Sequence, residues 1–197
     1  MLPDSSTTGV LLLHGWGTSP QRLEPMRRAL SAGGFDAQHW PYEARGSVRA
    51  IGADLALAVR DRPVHLVGHS LGGLVSASAV LDHGAPALSV TTVNTPWRGT
   101  WAAWTADRDD PLGQQLRWGS DELARLRGGL AHHLAGGEGP PWRVLSALGD
   151  LAAPPTGALR VPRGERLDTD LVGVRGHSIS LLHPRMIEAV LSGLLPS

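Results

Sequence analysis

The chain has 197 residues, 42% of them hydrophobic and 18% charged, with eighteen basic and eighteen acidic side chains. That balance describes one globular domain over residues 1–197 with a sizeable core, and it excludes a disordered chain. The formal net charge of zero leaves no excess to drive binding to nucleic acid or an anionic membrane, and the lack of cysteine removes thiol nucleophiles, disulfides and thiolate metal sites.

The first apolar run, GVLLL at residues 9–13, is bounded by glycine and reads as a buried strand. No basic stretch precedes it, and it is too short for the core of a secretion signal. No other run nears the roughly 18 apolar residues of a membrane-spanning helix, so a cytoplasmic location is expected. A helix is predicted from Pro20 to about Ser31, ending before Gly33 and Gly34. FDAQHWPY (35–42) reads as a weaker strand. Val48, Ile51, Leu55 and Val59 recur at spacings of three and four, which predicts a helix over 47–60. VHLVG (64–68) is a strand, a Leu, Val and Ala helix follows at 71–82, and LSVTTVN (88–94) is a β-branched strand. Further on come a helix near 121–134, strands at 142–148 and 170–174, and a last helix from about Pro184.

Strands and helices alternate, and several strands are apolar on both faces. That pattern predicts a mostly parallel sheet of about six strands with helices on both sides, an α/β three-layer sandwich. Residues 95–119 are long for a connection and hold Trp97, Trp101, Trp104 and Trp118. They read either as part of the core or as an insertion that partly covers a site. In the second case Trp97, Trp101 and Trp104 are the candidate substrate contacts.

One stretch asks for chemistry. In VHLVGHSLGGLVSASAV, Gly68-His69-Ser70-Leu71-Gly72 falls where a strand gives way to a helix. Gly-x-Ser-x-Gly in that setting is a nucleophile elbow: a sharp turn needing small neighbours, with the helix N-terminus beneath the serine. A serine hydroxyl needs a base, and the base needs an acid to hold its tautomer. His177, after the last strand, stands at the edge where parallel sheets place their sites; His183 is the fallback. Asp150, after the strand at 142–148, is the candidate acid. Asp168 and Asp170 compete, but they precede the last strand and so should lie at the opposite edge. For the oxyanion, the backbone N–H of Leu71 and that of Trp16, in His14-Gly15-Trp16-Gly17, are the candidate donors.

These residues together resemble the α/β-hydrolase superfamily, and within it the small lidless bacterial lipases and the related class 2 lipase and esterase group. LLLHGWG is similar to that group's oxyanion segment, GHSLGG to its elbow, and GVRGHSISLLHPRMIEAV to its histidine loop and last helix. VNTPWRGT resembles the family's strand end, with Trp97 where many members have His. Trp118 stands where Pro is common. The order Ser70, Asp150, His177 is that of the superfamily. The resemblance implies a minimal fold without a cap domain.

The implied activity is hydrolysis of a carboxylic ester through an acyl-enzyme on Ser70, with no metal or organic cofactor. The partner is a small-molecule ester or acyl substrate. Two alternatives stay open. One is a thioesterase or acyltransferase serving a carrier protein, docked by Arg22, Arg27 and Arg28 of the first helix. The other is a hydrolase-like binding protein without activity.

Overall fold

The computed structural model describes residues 8–194. Six strands form one sheet, all neighbours parallel: β1 (Gly9–Leu13), β2 (Asp36–His39), β3 (Val64–His69), β4 (Ala87–Val93), β5 (Trp142–Ala147) and β6 (Leu167–Val172), in the order β2-β1-β3-β4-β5-β6. The helices are α1 (Glu24–Ala32), α2 (Val48–Val59), α3 (Leu71–His83), α4 (Pro111–Gln115), α5 (Asp121–Gly136), α6 (Pro155–Ala158) and α7 (Pro184–Ser192). No separate cap covers the sheet among the described residues, and no helix among them is long and apolar enough to cross a membrane.

The strand alternation sorts the core into two halves. Leu13, Val64, Leu66, Val90, Trp142 and Val144 face one side, where α2, α3 and α5 pack. Val10, Leu12, Val67, Val93, Leu145 and Ala147 face the other, against α1 and α7. Successive side chains in a strand point to opposite faces, so only strands apolar at both parities can be covered on both sides. The helix that follows the elbow, α3, is buried from Leu71 to Val80. This explains its lack of a polar face: the sheet, α2 and α5 surround it. Arg125 of α5 ties it to α3 through Asp82 and also holds Glu122 of its own helix at 2.7 Å.

Three element boundaries differ from the sequence expectation. The first helix is split. A 3-10 turn (Pro20–Leu23) runs into α1, because Pro25 has no N–H to give and must sit in a first turn. The last strand starts at Leu167 rather than 170 and stops at Val172. The residues expected to precede it therefore lie within it: Asp168 and Asp170 sit on the exposed edge strand, where acids are tolerated, and Asp168 pairs with Arg143 at 3.2 Å. The 95–119 interval contains a 3-10 turn (Trp101–Trp104) and α4, both too short to leave a periodic signal.

That interval supplies both core and surface. Trp97 was a candidate substrate contact, but it is wholly buried and packs edge-on against Trp142 with centroids 6.5 Å apart. It offers no surface to a substrate. Ala103, Leu112 and Leu116 join it inside, whereas Trp101 and Trp104 are 65% and 58% exposed. Replacing Trp97 by Ala is expected to cost roughly 3–5 kcal/mol of stability. Trp101→Ala should stay within about 0.5 kcal/mol. Urea unfolding of the two variants measures the contrast.

Candidate active site

The strand order reverses between β1 and β3: the chain steps one way from β1 to β2, then crosses to β3 and proceeds the other way. Open parallel sheets bind ligands outside the carboxyl ends of strands at such a switch point. Here the two loops flanking it are His14–Gly17 after β1 and the turn at Ser70 after β3.

The Ser70 turn is strained. Its φ of 53° and ψ of −118° lie outside the regions that non-glycine residues ordinarily occupy. The surroundings over-determine it. Ser70 N donates to Val93 O at 2.9 Å, and its carbonyl accepts from Gly73 N at 3.0 Å. Glycines make the turn possible. A Cβ on Gly68 would overlap the backbone of Gly72 and Gly73, and one on Gly72 would overlap the carbonyls of Leu13 and His14. A Cβ on Gly15 would stand 3.1 Å from Ser70 Cβ, so the β1 loop lies directly over the serine. Leu71 opens α3, where the first N–H groups lack intrahelical acceptors. The Trp16 N–H also has no backbone acceptor among the described residues. The loop is pinned from the side by Tyr42, whose hydroxyl donates to His14 O at 2.5 Å and whose ring stacks on His14 at 4.4 Å. Burial pushes the Tyr42 phenol well above its usual range, so it remains a donor.

Asp150 and His177 meet. His177 Nδ1 stands 2.7 Å from Asp150 Oδ2, and the Asp150 side chain is fully buried. A ring nitrogen facing a carboxylate carries the proton, which leaves Nε2 with its lone pair free. The other oxygen of Asp150, Oδ1, accepts from Ala152 N at 2.9 Å and Ala153 N at 3.0 Å. The carboxylate is thus fixed on both oxygens. Ser70 and His177 stand on the same sheet edge, but no direct hydrogen bond joins their side chains among the described residues. His183, the fallback, caps α7 by accepting from Arg185 N at 3.2 Å. Asp168 and Asp170 lie within β6, away from this edge.

Two more groups lie here: His69, whose place beside the serine in sequence reads as packing at the elbow rather than as the base, and Asn94, which sequence reasoning passed over. His69 is buried beside Ser70, its ring 4.7 Å from that of His177. Asn94, just past β4, is wholly buried and adopts a φ of 51°. A non-glycine residue before Thr-Pro at a strand end was its only signal.

Burial, with the nearby His177 adding to it, pushes the His69 imidazole down to about 3. The sign for stability follows. An unfolded histidine takes up a proton near pH 6.5, while the folded one refuses it until about 3. The contribution of His69 to stability is therefore full above pH 6.5 and is lost as pH falls toward 3, by about 1.4 kcal/mol per pH unit. His65, also lowered by burial, adds in the same direction. Urea midpoints at pH 7 and pH 4.5 should converge by one proton's worth in His69→Asn relative to wild type.

Residues 10–190 match the alpha/beta hydrolase family. The chain belongs to that family. Among solved structures, this hydrolase is similar to the monoacylglycerol lipase of Paleococcus ferrophilus, at 17% identity and a TM-score of 0.76, covering 95% of each chain. It is similar to the mature lipase BlEst2 of Bacillus licheniformis at 18% identity and a TM-score of 0.69, covering 98% of this chain and 94% of that one. A structure from the metagenome-derived lipolytic enzymes LipS and LipT is 16% identical, with a TM-score of 0.70 over 96% and 94% of the two chains. No curated protein matches the sequence. At these identities the likeness speaks for the fold. The family match makes the chain an alpha/beta hydrolase.

Proposed function

We propose that this hydrolase cleaves carboxylic esters through an acyl-enzyme on Ser70. The observation that carries the reading is the buried Asp150 carboxylate, fixed on one oxygen by two amides and on the other by His177 Nδ1 at 2.7 Å. A buried acid so placed holds a histidine in the tautomer that a general base needs.

In the proposed cycle, Ser70 Oγ attacks the ester carbonyl while His177 Nε2 takes its proton. The carbonyl oxygen becomes an oxyanion held by the N–H groups of Trp16 and Leu71, at the positive end of α3. His177 then returns the proton to the departing alcohol oxygen as the C–O bond breaks. Water, deprotonated by the same nitrogen, attacks the acyl-enzyme and releases the acid and the free serine. Each oxyanion donor of this kind is worth roughly 3–4 kcal/mol in the transition state. The chemistry uses side chains and backbone alone.

The substrate reading is an ester with an apolar acyl group. Trp101, Trp104, Leu148, Leu151, Ile179 and Leu182 are exposed, and all lie on connections that leave the carboxyl ends of β4, β5 and β6. Trp101 and Trp104 are the substrate contacts retained in this proposal. The names of the solved relatives, lipases and lipolytic enzymes, fit an ester bond. The carrier-protein alternative finds less support: Arg27 and Arg28 share the Glu24 carboxylate, at 2.7 and 2.9 Å, within their own helix.

The test is release of p-nitrophenol from esters running from acetate to palmitate, together with labelling by a fluorophosphonate. Cleavage with labelling supports the reading, and the chain-length profile ranks acyl groups. Labelling without ester cleavage moves the activity to another acyl donor. Absence of both in the folded protein returns the chain to the binding-protein alternative.

A further inference from the structure

The carbonyl oxygen of His177 accepts three side-chain hydrogen bonds. Asn94 Nδ2 donates at 2.6 Å, Ser180 Oγ at 3.0 Å and His69 Nε2 at 3.3 Å. A carbonyl has two lone pairs, and one donor satisfies a buried one. Three donors converging on the backbone of one loop residue is more than burial demands.

The centre of this cluster is Asn94. Its Oδ1 accepts from Ala147 N at 2.8 Å, and its own N–H donates to Leu145 O at 2.9 Å. Ala147 O in turn accepts from Asp150 N at 3.3 Å. One side chain therefore spans from the turn that carries Asp150 to the loop that carries His177. Asn94 Nδ2 also donates to Ser180 Oγ at 2.8 Å, which aims that hydroxyl's proton at the same carbonyl. The residue type follows. The position needs an acceptor on one side, a donor on the other and a left-handed backbone. Asparagine supplies all three.

Building on the hydrolase reading above, we propose that Asn94 is a positioning residue. With Ser180 and His69 it sets the spacing between the Asp150 turn and the His177 loop, and so keeps His177 Nδ1 on the carboxylate. It acts through the backbone of His177 and touches no reacting atom. The His177 loop is anchored at either end by the buried side chains of Val174 and Leu181, and between them Gly176 turns at a φ of 85°.

Asn94→Asp keeps the size and the acceptor for Ala147 N but sets a carboxylate oxygen against the His177 carbonyl. Ser180→Ala removes one donor and is the gentler change. The first readout is the low-field proton resonance of His177 Nδ1–H, assigned by its loss in His177→Gln. The others are kcat and KM on p-nitrophenyl butyrate and the rate of fluorophosphonate labelling. Both variants are expected to shift or broaden the resonance. Asn94→Asp should lower kcat and labelling by about tenfold to a hundredfold, the scale of a misplacement of about 1 Å, with KM unchanged. Ser180→Thr, which keeps the hydroxyl, should restore wild-type values. If Asn94→Asp does not fold, Ser180→Ala carries the test. Folded variants with the wild-type resonance and kcat overturn the proposal. A shifted resonance in a protein that is never labelled leaves the positioning role standing and instead removes the serine-hydrolase reading.

Discussion

Ser70→Ala is expected to abolish nearly all ester hydrolysis, lowering kcat by roughly a thousandfold to a millionfold while the protein stays folded. The substitution removes only an oxygen. The φ of 53° at this position is already imposed by the flanking glycines and by the hydrogen bonds of the Ser70 backbone, so alanine inherits the strained turn rather than creating it. What remains is binding and the N–H groups of Trp16 and Leu71, which explains why the floor lies above the uncatalysed rate. The measurement is steady-state hydrolysis with purified wild type and variant. A variant within tenfold of wild type, free of contaminating esterase, removes Ser70 as the nucleophile.

Asp150→Asn should cost about a thousandfold to ten-thousandfold in kcat. The reason lies in the hydrogen bonds of the wild-type carboxylate. Oδ1 is held by the N–H groups of Ala152 and Ala153, which accept nothing in exchange. An asparagine must keep its oxygen there and turn its NH2 toward His177 Nδ1. Two donors then face one another, and the imidazole moves its proton to Nε2. The nitrogen that should accept the serine proton has none of its lone pair left to offer. Asp168→Asn and Asp170→Asn, on the exposed strand β6, serve as controls and should retain wild-type kcat. Equal loss in a control and in Asp150→Asn would move the orienting role elsewhere.

The layered sheet, the elbow and the chain order of Ser70, Asp150 and His177 were readable because each leaves a local mark. Continuous apolar runs such as GVLLL mark strands buried on both faces, and Gly68, Gly72 and Gly73 mark a helix that must approach the sheet closely. The start of β6 was misread because Leu167, Asp168, Thr169 and Asp170 carry the mixed polarity of an edge strand, which looks like a loop in sequence. Trp97 was open to two readings for another reason. Which tryptophan of a rich segment turns inward is settled by partners distant in sequence: Trp97 packs on Trp142, and its carbonyl accepts from Arg127. Asn94 left only the faint mark of its place before Thr-Pro at a strand end. Its importance lies in partners drawn from β5 and from the loop after β6, distant in sequence and adjacent only in the fold.

The proposed machinery gathers groups from the ends of five strands, β1, β3, β4, β5 and β6, the last of them near the end of the described chain. No smaller set of neighbouring strands carries it. A chain that has collapsed, or has formed only the first four strands, owns the serine but neither the acid nor the base. Turnover therefore counts molecules whose sheet is closed from β1 to β6, whereas helical content or burial of tryptophan also counts partly assembled ones. During synthesis the same arrangement would keep the proposed nucleophile idle until the last strand has joined.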